Sequence, residues 1–383
     1  MKIGILTQPL RTNFGGLIQA WALQKVLTEA GHQCIIVNRE FTRLKDLNLP
    51  HRIAASLKTE LYILLGLEKR RIKLSDSQTA QIRKNTEPFV KERYRGISPL
   101  IYTKKALRKY TAAENFDAYV VGSDQVWRPW MSPAIGNYFL DFLPKESAAR
   151  RIAYAASFGV DNWEFSDKQT ATCRELARKF DLITVRESSG VKLVEDYLKC
   201  KANHVLDPTM LLDREDYLRL VETPTVPLHL SEGKLFCYVL DQKPELQEVI
   251  GLAEQETGLK AYFCNASRKA LTPDDVDHLD ECVFPPVEQW LKSFADAEMI
   301  LTDSFHGTVF SIIFNKPFWV VTNKERGESR FTSLLQQFGL SNRVISDAAA
   351  VDWHEPIDWD AVNAKRKALA RASKELLLSA LDQ

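Results

Sequence analysis

The sequence has no long apolar run, no paired cysteines of the metal-binding type and no excess of either charge. No stretch approaches the ~20 apolar residues that a membrane-spanning helix needs, and residues 1–7 have one basic residue and too short an apolar core for a signal peptide. None of the six cysteines forms a Cys-x-x-Cys pair or a zinc-type cluster with histidine. We therefore expect a cytoplasmic protein with free thiols and no metal ion.

The charge balance also restricts the class of partner. The net charge is +1, from 51 basic and 50 acidic residues, so the chain as a whole does not attract nucleic acid. A site for an anion must therefore come from local clustering of basic side chains or from backbone N–H groups.

Strand and helix patterns alternate along the 383 residues, which suffice for two domains. An apolar strand over residues 3–7 is followed by a loop, a helix that opens after Asn13 and a second strand, the unit of a doubly wound α/β domain. Residues 207–227 contain three prolines and break the alternation, which then restarts. We predict two Rossmann-like domains, 1–206 and 207–355, facing a cleft, with a helix in 356–383 packing back on the first domain.

The segment Thr302–Val309 follows a predicted strand and opens a helix, whose N-terminus favours an anion. His306 would lie at this helix start, Gly307 would let a ligand approach the backbone, and Ser304 or Asp303 would cap the helix. The alternative is a capped helix with an incidental histidine.

A second polar segment, Ser123-Asp124-Gln125, follows the predicted strand 118–121. These side chains suit sugar hydroxyls or a catalytic base, and Trp127 or Trp130 would cover the apolar face of a sugar. The alternative is an Asx-type turn beside core tryptophans.

Basic residues form two further candidates. Arg186 ends a predicted strand, where its guanidinium can pair with a carboxylate or phosphate; Glu187 would otherwise neutralise it in a surface pair. The set Lys316, Lys324, Arg326 and Arg330 is either a source of cations for an anionic ligand or a solvated face. Residues 52–73 are basic and amphipathic, so they either contact an anionic membrane surface or pack on the domain.

The Asn13–Gly16 segment lacks the full G-x-G-x-x-G fingerprint, which argues against a dinucleotide cofactor. With this segment, eight stretches in order resemble the polysaccharide pyruvyl transferase family. They lie at residues 1–7 with 13–24, 116–127, 138–142, 154–159, 185–187, 205–209, 302–310, and 325–327 with 329–330.

The resemblance implies a fold similar to the two-Rossmann GT-B glycosyltransferases. It also implies transfer of a pyruvyl group from phosphoenolpyruvate to a sugar of a surface or cell-wall polysaccharide, or its lipid-linked precursor, as a ketal. Arg186 and His306 match positions that the family uses for donor binding and catalysis. Many members carry Arg-Leu-His-Gly, whose arginine helps to hold the donor, where this chain has Ser304-Phe305-His306-Gly307. The resemblance therefore implies either that Arg326, Arg330 or Lys316 replaces that arginine or that the donor geometry or donor identity differs.

We accordingly predict His306 as general acid and Asp124 as base or acceptor-orienting group, with Asp303 as its rival. The donor side is expected to use Arg186, Ser304, Gly307, Thr308, Lys316, Arg326 and Arg330. The acceptor side is expected to use Asn13, Gly15, Gly16, Ser123, Gln125 and Trp127. No metal or cofactor is expected. The alternatives are a nucleotide-sugar glycosyltransferase of the same architecture and a non-catalytic glycan-binding protein.

Overall fold

The structure is a computed structural model that describes residues 1–42, 46, 74–229, 233–240, 244–268, 273–321 and 329–382. The predicted basic amphipathic segment 52–73 lies outside these residues, and so do Lys324 and Arg326. Within the described residues the strands form two separate parallel sheets.

The first sheet is built from the first half of the chain in the order β2-β1-β3-β4-β5-β6. Its strands are β1 (Lys2–Leu6), β2 (Gln33–Ile36), β3 (Ala118–Val121), β4 (Arg150–Ala156), β5 (Leu182–Val185) and β6 (Asn203–His204). The accompanying helices are α1 (Phe14–Glu29), α2 (Asp76–Ile82), α3 (Glu87–Arg93), α4 (Lys104–Glu114), α5 (Asp167–Ala177) and α6 (Ser188–Leu193).

The second sheet has the order β11-β10-β9-β7-β8. Its elements follow in the chain as α7 (Arg214–Glu222), β7 (Leu235–Tyr238), α8 (Pro244–Thr257), β8 (Ala261–Tyr262), α9 (Pro273–Asp277), α10 (Val287–Asp296), β9 (Met299–Thr302), α11 (Phe305–Ile313), β10 (Phe318–Val321), α12 (Ser329–Phe338) and β11 (Val344–Ile345), and α13 (Trp359–Asp382) ends the chain. The strands therefore change sheet between His204 and Leu235; the predicted domain bounds at 206 and 355 stay predictions.

The central strands are apolar because parallel sheets are covered on both faces. Every residue of β3 (Ala-Tyr-Val-Val) and of β9 (Met-Ile-Leu-Thr) is buried. Helices begin where a polar side chain accepts an N–H of the first turn, as Asn13 does for α1 and Ser166 for α5. Where a helix directly follows a strand, as α1, α5, α6 and α11 do, it starts at the carboxyl end of that strand, which is the edge where polar loops gather.

The two halves share an apolar core. The largest hydrophobic cluster contains residues of β1 and α1 together with residues of α10 and α11. At its centre Phe14 stacks on Trp290, with ring centroids 5.6 Å apart, and Tyr217 contacts Phe310 edge-on at 4.9 Å. The first turn of α1 is thus packed into the second half.

The last helix, α13, returns to the first half, as predicted. The Ser373 hydroxyl accepts the N–H of Leu206, next to β6, at 3.2 Å, and Arg366 donates to the Leu212 carbonyl oxygen, in the segment between the two sheets, at 2.9 Å. The fold prediction of two Rossmann-like domains with a returning helix is therefore confirmed. None of the helices in the described ranges is long and apolar enough to cross a membrane.

Candidate active site

Four titratable side chains from both halves meet where strands of the two sheets end. Asp124 follows β3, Arg186 follows β5, Asp207 follows β6, and His306 lies in the first turn of α11 after β9. All four are at most 7% exposed. The carboxyl ends of the strands therefore bring the predicted acid, base and cation together, as a doubly wound fold requires.

Asp207 lies at the centre of this group. Its Oδ2 accepts from Arg186 Nη1 at 3.0 Å and from the Ser123 hydroxyl at 3.2 Å, and it lies 3.6 Å from His306 Nε2, an ion-pair distance longer than a hydrogen bond. Its Oδ1 accepts from the N–H and hydroxyl of Thr209 at 3.0 and 2.7 Å. One carboxylate thus links the arginine of one half to the histidine of the other.

The charge of Asp207 is stabilised despite complete burial. Burial by itself raises the pKa of the carboxyl, but His306, Arg186 and the hydrogen bonds from Thr209 outweigh it and hold that pKa well below its usual range. Asp207 is therefore ionised at neutral pH and gives His306 Nε2 an anionic neighbour.

Arg186 is held by two carboxylates and an aromatic ring. Besides Asp207, its Nη2 contacts Asp124 Oδ1 at 3.3 Å, and its guanidinium lies 4.3 Å from the centroid of the Phe305 ring. Burial lowers the pKa of the guanidinium, but Asp124, Asp207 and Glu187 outweigh that effect and raise it. Arg186 is permanently charged, and that charge is neutralised by its neighbours.

Asp124 owes its position to a left-handed backbone, with φ at 71°. Its carbonyl oxygen accepts the N–H groups of Val126 at 2.7 Å and Ser157 at 3.0 Å, which fix this conformation. The rival base Asp303 is engaged differently, because its Oδ1 accepts the Leu240 N–H at 2.7 Å. Asp124 therefore faces the charged group, whereas Asp303 ties the end of β9 to the end of β7.

The imidazole of His306 rests on the first turn of α1. A Cβ added to Gly15 would lie 2.1 Å from His306 Nδ1, a distance that no side chain tolerates. Asn13 and Gly16, which were also predicted to bind the acceptor, bond to each other at the start of α1, where the Asn13 side chain accepts the Gly16 N–H at 3.2 Å. Gly15 is thus the contact through which the first half meets the predicted acid.

The N-terminus of α11 is capped by the side chain of Ser304. Ser304 Oγ accepts the Gly307 N–H at 3.4 Å, and the Thr308 N–H bonds to the Ser304 carbonyl oxygen at 3.0 Å. A Cβ on Gly307 would lie 2.1 Å from the hydroxyl of Thr302. The predicted reason for Gly307, close approach of a ligand, is therefore replaced by close packing of helix on strand, and Gly307 and Thr308 N–H are used within the helix.

Arg330, at the start of α12, is the second cation of the group. Burial and the neighbouring Arg186 lower its pKa, Glu187 and Asp124 act in the opposite direction, and the net result is a pKa of about 10. Glu187 is fully buried, and its Oε1 accepts the Phe158 N–H at 2.8 Å. Glu187 is therefore an internal carboxylate of this site, and the surface pair with Arg186 is excluded.

Two predicted site residues lie elsewhere. Trp127 is fully buried, stacks on Phe139 at 4.8 Å and donates Nε1–H to the Tyr138 carbonyl oxygen, so the core-tryptophan alternative is correct for it. Lys316 precedes β10, at the amino end of that strand, and Arg214 and Lys234 are among its nearest charges. It is at the opposite edge of the sheet from His306, and we remove it from the donor-binding set.

Asp207 is the site residue that the sequence analysis missed. The signal was present, because Asp207-Pro208-Thr209 follows a short strand and belongs to one of the stretches that carry the family resemblance. Its side chain also bonds its own backbone two residues on, at Thr209, a typical Asx turn. Elsewhere in the described residues, and here, no three His, Cys, Asp or Glu side chains are grouped to hold a metal ion.

Comparison with solved structures defines the class of fold. The chain is similar to UDP-GlcNAc 2-epimerase from Neisseria meningitidis bound to UDP-GlcNAc, with a TM-score of 0.50, 10% identity, and coverage of 100% of this chain and 99% of that one. It is similar to Arabidopsis thaliana UGT89C1 complexed with UDP-L-rhamnose, with a TM-score of 0.50, 9% identity, and coverage of 99% and 98%. The protein thus has the two-domain architecture of GT-B enzymes.

The family follows from the sequence. The family model described as polysaccharide pyruvyl transferase matches residues 13–325, most of the chain. The search of curated proteins found no match. The chain belongs to the polysaccharide pyruvyl transferase family, and it is therefore a transferase.

Proposed function

We propose that this protein transfers the pyruvyl group of phosphoenolpyruvate onto two hydroxyls of a sugar in a surface or cell-wall glycan, or in its lipid-linked precursor. The observation that carries the proposal is the meeting of His306 with Arg186 on one buried carboxylate, Asp207. A proton donor from one half and a cation from the other are then held around a single small volume. That is the arrangement that an enol phosphate requires.

The reaction balances without a cofactor. A proton adds to the methylene carbon of phosphoenolpyruvate, a sugar hydroxyl attacks the enol carbon, and the C–O bond to phosphate breaks. A second hydroxyl of the same sugar then closes the ketal. Of the two hydroxyl protons, one ends in the new methyl group and the other on the released phosphate.

His306 is the proposed acid, with its proton held at Nε2. The ionised Asp207 at 3.6 Å orients that nitrogen, while Gly15 supports the opposite edge of the ring. Asp207 is itself fixed by Thr209, so the pair is preorganised before the substrate arrives. General acid–base catalysis of this kind contributes ~10²–10⁴-fold to a rate.

Arg186 and Arg330 are the proposed partners of the two anionic groups of the donor. In the structure Arg186 Nη2 forms an ion pair with Asp124 at 3.3 Å, which is longer than the 3.0 Å pair between Arg186 Nη1 and Asp207. We propose that the donor replaces Asp124 there. The displaced carboxylate then takes the proton of the attacking hydroxyl, so donor binding and activation of the base are one event.

Ser304 stands where many relatives carry an arginine, and in this chain it is occupied as a helix cap. Arg330 is the candidate replacement, because it lies within electrostatic reach of Arg186 and Asp124. We further propose a cytoplasmic site of action, peripheral contact with the membrane when the acceptor is lipid-linked, and no nucleic-acid partner.

The test is incubation of the purified protein with phosphoenolpyruvate and a panel of synthetic disaccharides and lipid-linked glycans, read by mass spectrometry and by phosphate release. A product heavier by one pyruvate minus one water, absent with His306→Ala, is the expected result. Thermal protection separates this from the glycosyltransferase alternative. Protection by UDP-sugars with no effect of millimolar phosphoenolpyruvate would refute the donor, and binding of phosphoenolpyruvate with no transfer to any acceptor would indicate a non-catalytic protein.

A further inference from the structure

One aromatic side chain is exposed to water and yet held rigidly. Trp130 exposes 61% of its surface, more than any other large apolar side chain among the described residues. The guanidinium of Arg128 covers one face of its indole, 4.3 Å from the ring centroid, and the indole Nε1–H donates to Glu164 Oε2 at 3.0 Å. Because Arg128 covers one face and 61% of the residue is exposed, we assign that exposure to the opposite face.

The two residues that hold the indole are themselves fixed. Arg128 is buried, and its Nε and Nη2 donate to the two oxygens of Glu164 at 3.0 and 3.1 Å. Its Nη1 donates to Gln125 Oε1 at 3.1 Å. A bidentate arginine–carboxylate pair has a defined plane, so it fixes the orientation of the ring stacked on it.

The loop that carries Trp130 is also fixed at both ends. Gln8, from the loop after β1, donates to the Gln125 carbonyl oxygen at 2.7 Å and to the Ser132 hydroxyl at 3.1 Å. The Ser132 hydroxyl in turn donates to the Val126 carbonyl oxygen at 2.8 Å. Because the loop is ordered beforehand, a ligand on Trp130 does not have to compensate for the entropy of ordering it.

This surface is continuous with the candidate active site. Trp130 belongs to the loop that begins with Asp124, and Gln125 lies so close to Gly159 that a Cβ there would be 2.2 Å from its Oε1. The Gly159 N–H in turn donates to Glu187 Oε1 at 3.4 Å. Gln125 therefore lies between the support of the indole and the carboxylates of the candidate active site.

We propose that the open face of Trp130 is a subsite for one sugar ring of the acceptor, next to the sugar that receives the pyruvyl group. This rests on the proposed function, because it takes the acceptor to be a glycan. A pyranose ring presents a face of C–H groups that packs on an aromatic ring, and its equatorial hydroxyls need polar partners at the ring edge. Glu164, Gln125 and Arg128 provide them around this indole.

A sugar fits this surface better than a protein does. A single ring bordered by an arginine, a glutamate and a glutamine is not the contiguous apolar patch that protein docking uses. A nucleobase would also stack on an indole, so uridine is included among the probes.

The experiment is a glycan array of mono- to tetrasaccharides, probed with the wild-type protein, Trp130→Ala, Trp130→Phe and Phe263→Ala. Phe263 is the matched control, because it is another exposed aromatic, at 46%, and lies after β8 in the second half. Glycans of two or more units retained by the wild type are then titrated, following tryptophan fluorescence. We expect Trp130→Ala to weaken binding at least about tenfold, Trp130→Phe to weaken it less, and Phe263→Ala to leave it unchanged.

Equal glycan affinity of the wild type and Trp130→Ala would overturn the subsite. So would a wild type that retains no glycan, or one that binds uridine through Trp130 in place of glycans. The melting temperature with and without phosphoenolpyruvate is recorded for every variant, and the increase should be the same in Trp130→Ala as in the wild type. Trp130-dependent glycan binding without any effect of phosphoenolpyruvate would support the subsite while refuting the proposed donor.

Discussion

The loops after β3 and β9 begin alike and end in different roles. Each follows a fully buried strand of four residues and carries a serine beside an aspartate, Ser123-Asp124 in the first half and Asp303-Ser304 in the second. After β3 the chain turns through a left-handed residue, so Asp124 faces Arg186. After β9 a helix starts at once, so Ser304 caps it.

The difference shows that the role of a serine–aspartate pair after a strand depends on whether a helix or an irregular turn follows it. A helix start needs acceptors for its N–H groups and uses the nearest side chain for that purpose. An irregular turn has no such demand, and its carboxylate remains available to a neighbouring strand end. The proposed catalytic residue after β9 is accordingly His306, in the first turn of the helix, and after β3 it is Asp124 itself.

The strongest test of this contrast is His306→Ala. We expect turnover to fall by ~10²–10⁴-fold, because the variant loses the proposed proton donor. Phosphate release with phosphoenolpyruvate and an identified acceptor measures it, and a melting curve checks the fold. A well-folded variant with near-normal turnover would remove His306 from the mechanism.

Asp207→Asn tests the carboxylate that links the two loops. The substitution removes one partner of a buried ion pair and leaves the charge of Arg186 less compensated. We therefore expect a loss of about 3 kcal/mol in the free energy of unfolding, together with a fall in turnover. The ordinary aspartate pKa is ~3.9, and the pKa of Asp207 lies well below it in the folded protein.

Because the pKa of Asp207 is lower in the folded protein than in the unfolded chain, its ionised carboxylate stabilises the fold. Stability from Asp207 is present above about pH 4 and is lost as the pH falls further, because protonation is harder in the folded state. Urea unfolding between neutral pH and about pH 3 should therefore show a steeper acid loss in the wild type than in Asp207→Asn. Parallel profiles for the two proteins would contradict the assignment.

The same substitution in both loops separates their aspartates. Asp124→Asn should lower turnover by about 10²-fold, because an amide cannot accept the hydroxyl proton, while asparagine tolerates the left-handed backbone at this position. Asp303→Asn should change little, since its Oδ1 still accepts the Leu240 N–H. Steady-state kinetics and melting curves of the two variants distinguish the aspartates. An equal loss of turnover in both would mean that Asp303 shares the proposed role of base.

Neighbouring glycines give a second matched pair. Gly15→Ala places a methyl group 2.1 Å from the present position of His306 Nδ1, whereas the nearest atom to a methyl group on Gly16 is Asn13 Nδ2 at 3.2 Å. We expect Gly15→Ala to lower turnover about tenfold or more by displacing the imidazole, with little change in melting temperature. Gly16→Ala should keep its turnover, and a similar loss in both would point to the helix and away from His306.

Ser304→Ala should have the smallest effect. Loss of an N-cap costs about 1 kcal/mol, so the melting temperature should fall slightly while the Michaelis constant for phosphoenolpyruvate stays unchanged. A large rise in that constant, with normal stability, would show that Ser304 contacts the donor as the missing arginine does in relatives.

Local patterns were sufficient for the fold and for part of the site. Buried runs of four residues gave β3 and β9, and strand ends correctly brought His306, Arg186 and Asp124 together. Lys316 was placed wrongly because α11 runs about 13 Å away from the cleft, which carries the residues after it to the far edge of the sheet. Arg330 follows β10, which runs parallel to β9 and returns the chain to the carboxyl edge of the sheet.

Tertiary packing decided the rest. Trp127 and Trp130 are three residues apart in sequence, yet one is fully buried on Phe139 and the other is 61% exposed. Nothing in the local pattern distinguishes them, because the burial of Trp127 depends on residues from other parts of the first half. Asp207 was missed for a similar reason, since its importance lies in partners that are distant in the chain.

The contact between Gly15 and His306 makes the position of the imidazole depend on the relative position of the two halves. The imidazole is carried by one half and supported by the backbone of the other. A shift of one ångström between them would change the distance from Nε2 to the donor by a similar amount. In the proposed mechanism, proton transfer from His306 therefore requires a single mutual placement of the two halves.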